Sequence, residues 1–400
     1  MKTNPSRVAA RVLALSLLAA ACGSDGSDGR TSEEPAGVSE ITDPGSENSN
    51  GSASASASAS APASGSGSAS ALAEGDGTPT AGDGGYEYVS DVSSHRLVVD
   101  DICAINELLP SDDEIDWDAV DTLYREGGAS VNSDGSIRSI GGFAARDDRS
   151  HGLDEYYGTP TPLDDFVTAA LDGTGPFDGE ADAVRRQGVQ KGIQNATMVA
   201  WVIHELNSAL SKAGEGDFDV AEGAVHNWDE GWAFYHGAEP SCAPYATADS
   251  RAANFGTLAT DGETALANEA LLAAMIEGRD ALLAEDAAGA EAAATEAVRN
   301  LAITYSQATL RYAQVFDDDI AADDLDAAKV HQAEGHAFWR VIESTMAANG
   351  ADVDVVNTVY DLGADPEQGG YDQIEAALTP AWDALAITSD DIGELVVDEG

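Results

Sequence analysis

From residue 86 onward, apolar positions recur three and four apart almost without a break. That spacing puts them on one face of an α-helix, whereas a strand would alternate every second residue. Residues 91–109 carry Leu97, Val98, Ile102, Ile105 and Leu109 at this spacing and stop at Pro110. Residues 116–126 predict a shorter helix, capped by Asp116 and ended by Gly127 and Gly128. Residues 127–160 are rich in Gly, Ser and Asp and predict an ordered loop with a short hairpin near 131–140. Pro162 opens a short helix to residue 171, and longer helices are expected over 180–212, 219–236, 262–284, 288–317, 323–348 and 369–386. No run of alternating residues predicts a sheet, so the expected class is all-α.

One phrase occurs twice within this pattern. It reads His226-Asn-Trp-Asp-Glu230-Gly-Trp-Ala-Phe-Tyr235 and then His331-Gln-Ala-Glu334-Gly-His-Ala-Phe-Trp339. Both copies contain Glu-Gly-x-Ala-Phe followed by an aromatic, with a His three or four residues ahead of the Glu. A second match, Asn195-Ala-Thr-Met198 with Gln307-Ala-Thr-Leu310, lies in the long helix before each phrase. The expected architecture is a helical bundle built from two pseudo-repeated helical units that bury their signature residues against each other.

The first 85 residues read differently. Residues 1–21 have a basic start (Lys2, Arg7, Arg11) and an apolar stretch too short to span a bilayer, the form of an export signal. Leu18-Ala-Ala-Ala-Cys22 has the form of a bacterial lipoprotein cleavage box. Lipidation of Cys22 would anchor the chain to the outer face of a membrane; an ordinary cleaved signal with an incidental Cys is the alternative. Residues 22–85 are mostly Gly, Ser, Ala and acidic residues, with almost nothing to bury. They predict a disordered tether that holds the helical domain, residues 86–400, about 40–50 Å from its anchor.

The formal net charge is −53, from 19 basic and 72 acidic residues. So negative a chain is repelled by nucleic acid and by anionic membrane surfaces, which argues against both as partners. Such acidity suits a salty medium; it also attracts cations, without locating a site. Beyond Cys22 the cysteines are Cys103 and Cys242. In an exported chain they predict one disulfide, contributing about 4–5 kcal/mol by closing a long loop; two buried thiols are the alternative.

Candidate chemistry concentrates in the duplicated phrase. At about 100° per residue, Val330, His331, Ala337, Phe338 and Val341 fall within about 60° of Glu334. His226, Ala233, Phe234 and Gly237 gather around Glu230, with Trp228, Trp232 and Tyr235 opposite. A carboxylate inside an apolar stripe needs a proton, a partner or a metal. His and Glu on one helix face are a metal-ligand pair by type, so His226, Glu230, His331 and Glu334 are the candidate ligands. His204 on the preceding helix is the next candidate, and Asp229 the last. Glu205 projects about 100° away from His204, and His95, His151 and His236 have no paired setting. The competing reading is a core network in which each Glu accepts hydrogen bonds from Thr, Gln, Trp or Tyr. Iron, zinc or another divalent cation would suit imidazole and carboxylate alike. Gly231 and Gly335 each cost a helix about 1 kcal/mol relative to Ala, which predicts close helix approach beside both carboxylates. The acidic residues 317–319, 323 and 324 read as a solvated helix end and cap.

Three segments carry a family likeness: Gln187-Gly-Val-Gln-Lys-Gly-Ile-Gln194, Trp228-Asp-Glu-Gly-Trp-Ala-Phe-Tyr235 and Ala333-Glu-Gly-His-Ala-Phe-Trp-Arg-Val-Ile342. Through them the chain resembles the low-iron-inducible periplasmic protein family, known from algal iron-assimilation and high-CO2-inducible secreted proteins. The resemblance spans about residues 86–387. It implies an extracytoplasmic protein that binds iron at the cell surface and assists its acquisition, with an uptake transporter as partner; it supplies no ligand set. A lipid tether would replace the free secretion of the algal proteins. A weaker likeness to imelysin-like helical lipoproteins lacks their Gly-x-His-x-x-Glu signature. Two readings of other classes stand beside these. One is a metal-dependent hydrolase or oxidase with an open coordination position at the same His/Glu site. The other is a non-catalytic interaction module whose His and Glu residues are core. No catalytic residue is assigned.

Overall fold

The long apolar runs of the sequence form helices in the computed structural model, which describes residues 80–396 apart from 112, 113, 133 and 148. The expected signal at 1–21, the lipidation site Cys22 and the tether as far as residue 79 lie outside the described residues. The first helices are α1 (Ser93–Arg96), α2 (Val98–Glu107), α3 (Trp117–Glu126), α4 (Ile140–Ala144), α5 (Leu153–Tyr157) and α6 (Pro162–Asp172). Next come α7 (Asp182–Lys191), α8 (Met198–Gly214), α9 (Ala224–Tyr235), α10 (Pro244–Phe255) and α11 (Leu266–Leu283). The chain closes with α12 (Ala287–Ala321), α13 (Leu325–Ala348), α14 (Val353–Val359), α15 (Gly370–Ala384) and α16 (Ser389–Ile392). Among the described residues there are isolated bridges, Val131 with Ile137 among them, and no strand. The class is all-α, as the periodicity predicts.

Side-chain caps set several helix starts. Asp116, Asp286 and Asp324 each accept a hydrogen bond from a backbone N–H in the first turn of α3, α12 and α13. Asp324 is thus a cap, while Asp317 accepts from the N–H groups of Gly369, Gly370 and Tyr371 at the start of α15. Three differences from the sequence reading have local causes. The loop over 127–160 contains α4 and α5, each too short to show a period. The apolar spacing predicts no helix over 244–255, yet α10 forms there, opened by Pro244 and ended by Gly256 at φ +66°. The helix expected over 180–212 is α7 and α8 joined by a π-helical turn, Gly192–Thr197. There Asn195 Oδ1 accepts from Thr247 Oγ1 at 2.8 Å and Tyr305 OH at 2.9 Å, tying the widened turn to α10 and α12.

Helix α12 is the spine, flanked by α11 and α13, while α8 packs along α9 and α7 along α13. Helix α9 is buried on both faces. Trp228 Nε1 donates to the Met275 carbonyl at 2.8 Å, Trp232 Nε1 to the Asp83 carbonyl at 3.1 Å, and Tyr235 OH to Asn268 Oδ1. Asp83 also pairs with Arg96 and accepts from Tyr88 OH, so residues 80–85, assigned to the tether on composition, include part of the packed domain. The disulfide Cys103–Cys242, with Cα atoms 5.3 Å apart, joins α2 to the segment after α9. No helix among the described residues is long and apolar enough to cross a membrane.

Candidate functional site

The two copies of the repeated phrase lie in different surroundings. On α9, Glu230 and His226 are one turn apart, and His226 Nε2 reaches Glu230 Oε1 at 3.1 Å. His95 on α1 reaches the same oxygen, also at 3.1 Å. Asn227 Nδ2 donates to Glu230 Oε2 at 3.2 Å and to Glu205 Oε2 on α8. Two imidazoles and two carboxylates from three helices therefore meet, and His95 and Glu205 are the members that sequence reasoning missed. His95 sits on a four-residue helix and joins the cluster only through the fold. Glu205 does project differently from His204, but both residues line the same cavity.

Electrostatics sort these groups. Burial drives the Glu205 carboxyl well above the usual range and the neighbouring Glu230 charge pushes it further, against the hydrogen bond from Asn227. Burial would also raise Glu230, but His95 and the hydrogen bond and charge of His226 outweigh it and hold Glu230 well below the usual range. Of the two carboxyls, Glu230 is therefore the one favoured to ionise and Glu205 the one favoured to hold a proton. Burial alone would lower His226; its hydrogen bond to Glu230 and that carboxylate's charge raise it instead. His204 moves the other way, to about 4, through burial and the nearby Arg149. Its Nδ1 accepts from the Ser150 N–H at 2.9 Å, so a neutral ring carries its proton on Nε2. His204 is therefore placed as a hydrogen-bond donor beside Glu205, with Nε2 4.0 Å from Glu205 Oε1, and its free lone pair is already used.

Asp229 is engaged elsewhere. It accepts from Tyr86 OH, the Val89 and Ser90 N–H groups and Ser90 Oγ, all within 2.9 Å, and fastens residues 86–90 across α9. On α13, Glu334 meets a cation instead of its own histidine: Lys191 Nζ on α7 lies 3.0 Å from Glu334 Oε1, with Tyr312 closing in beside it. His331 turns to Asp319 and stacks 6.1 Å from Tyr312. Each carboxylate is thus satisfied by its own local partners. Among the described residues no three His, Cys, Asp or Glu side chains stand ready-made around an ion position. The His95–Glu230–His226 cluster is held by its own hydrogen bonds.

His95 and Glu230 of that cluster, though not His226, line a cavity of about 450 Å³, together with Glu205, Asn227, His204, Trp201, Phe143, Arg138, Arg146 and Arg149. The second copy does not reach this cavity.

The family described as low iron-inducible periplasmic protein matches residues 59–399, beyond both ends of the stretch that carries the resemblance in the sequence. No curated protein and no solved structure matches the chain.

Proposed function

The chain belongs to the low iron-inducible periplasmic protein family, and from that footing we propose that it binds iron outside the cytoplasm as an accessory of iron acquisition. The observation that carries the reading is the convergence of His95 Nε2 and His226 Nε2 on Glu230 Oε1 at 3.1 Å each, beside an accessible cavity. Two donor atoms that share one ion at about 2.0–2.2 Å sit about 3.0–3.5 Å apart. Each imidazole already stands at such a distance from the carboxylate oxygen, so an ion replaces the hydrogen bonds by small side-chain shifts. Glu230 is ionised beforehand, and each imidazole gives up at most one proton, as ligation requires. Iron is favoured over zinc by the family's low-iron setting, since the donor types accept both.

Glu334, His331 and Asp229 fall outside the proposed ligand set because Lys191, Asp319 and the segment over 86–90 hold them. Tethering through Cys22 and delivery to a membrane transporter belong to the same proposal and rest on the sequence. The test is iron content of the full chain purified without chelator and reloaded with iron, in wild type, Glu230→Ala, His226→Ala and Glu334→Ala. Iron retained by wild type and Glu334→Ala but lost from the two α9 variants is the expected result. Equal, negligible iron in all four proteins refutes the reading.

A further inference from the structure

Arginine is the other chemistry of the cavity. Arg138, Arg146 and Arg149 all line it, in a chain with 19 basic residues against 72 acidic ones. Arg138 donates to Ser94 Oγ. Arg146 lies 5.4 Å over the Phe143 and Trp201 rings, and Arg149 Nε is buried without a hydrogen-bond partner. The two rings hold the Arg146 guanidinium at the cavity, and no carboxylate among the described residues pairs with it or with Arg149. His204 Nε2–H adds a neutral donor.

A bare cation approaching Glu230 would be repelled by these guanidinium groups, whereas an anion that already carries the cation would be attracted. Guanidinium suits carboxylates in particular, because its fork of N–H donors matches their two oxygens. Size discriminates further. The cavity of about 450 Å³ is many times the ~30 Å³ that one water occupies, and lies in the range of small-molecule sites. We propose that the cavity binds a small organic polycarboxylate through Arg146, Arg149 and His204, and that the metal reaches the His95–Glu230–His226 cluster as the chelate of that anion. The delivery half rests on the iron-binding reading; the anion half does not. The surrounding acidic surface repels anions, so the arginine-lined cavity is where one is retained.

The test uses citrate as the probe and inorganic phosphate as the competing oxyanion, each titrated into the metal-free full chain by calorimetry. Citrate is expected to bind wild type at least tenfold more tightly than phosphate does, and at least tenfold more tightly than it binds Arg146→Gln/Arg149→Gln. Arg149→Lys keeps the charge but loses the fork, and serves if the double variant does not fold; at least a threefold weakening is expected. Three results overturn the anion site: no citrate binding at millimolar concentration, phosphate binding equal to citrate, or unchanged affinity in a folded arginine variant. Delivery is read separately, as iron retained from ferric citrate. Glu230→Gln should still bind citrate but retain no iron. Citrate binding by wild type with no iron retained from ferric citrate overturns delivery; if free iron is also not retained, the iron-binding reading falls while the anion site stands.

Discussion

Asp229 and Glu230 are adjacent on one helix, yet the structure gives them opposite tasks. Asp229 is fully buried and spent on four donors, so Asp229→Ala should cost about 3 kcal/mol or more by orphaning buried N–H and O–H groups. A urea midpoint lowered to match, with iron content per folded chain unchanged, is the expected outcome; loss of iron at unchanged stability would make Asp229 a ligand. The His226–Glu230 pair predicts a pH signature in the metal-free protein. His226 is raised in the fold, so its contribution is complete below the unfolded value of about 6.5 and is lost as pH rises through the raised one. Glu230 is depressed, so its contribution is complete above about 4.3 and is lost as pH falls through the depressed one. The stability gap between wild type and His226→Ala should therefore be widest between those values and narrow toward alkaline pH; a gap that grows above neutrality contradicts the pairing. His226 and Glu230 were legible in the sequence because a helix places residues four apart on one face. His95 was not, since its partner lies 135 positions along the chain (230 − 95).

At the scale of elements, the long helices were legible because their apolar positions recur three and four apart, and their boundaries mostly shifted by a few residues. What a projection of one helix cannot supply is the neighbour it meets. Glu334 occupies the same place in its phrase as Glu230, but α7 brings Lys191 to it and no second imidazole. The paired glycines make the same point. A Cβ on Gly335 would lie 2.1 Å from Tyr360 Cε1, inside the fully buried ring that packs against the middle of α13. A Cβ on Gly231 would find its nearest neighbours at 3.6–3.8 Å, an ordinary contact. Only Gly335 marks the close approach that the sequence assigned to both. Gly335→Ala should destabilise by about 1–3 kcal/mol through overpacking. Gly231→Ala should be neutral or stabilise by up to about 1 kcal/mol, since Ala favours the helix. Urea midpoints for the two variants should move apart, and equal destabilisation would mean that the two positions are packed alike.

At the scale of the whole molecule, the ligands proposed for iron come from distant parts of the chain, and one covalent bond spans the same division. Cys103 lies on α2, directly after the short helix that carries His95; Cys242 follows α9, which carries His226 and Glu230. The bond closes a separation of 139 residues, worth about 4–5 kcal/mol by the chain-entropy argument. Further ties cross the same division, among them the Ala238 N–H donating to the Arg96 carbonyl at 3.0 Å and the four bonds to Asp229. Without the disulfide, the protein should therefore fold, but with α1 held less firmly against α9. Cys103→Ser/Cys242→Ser should lower the urea midpoint by an amount that corresponds to a few kcal/mol. Iron affinity should fall as well, because the entropy of fixing His95 against Glu230 is then met at binding and not in advance. A reductant titration should reproduce both changes in wild type and neither in the double variant. Loss of stability with iron affinity intact would show that the disulfide supports the fold alone, and that the remaining contacts hold α1 against α9 unaided.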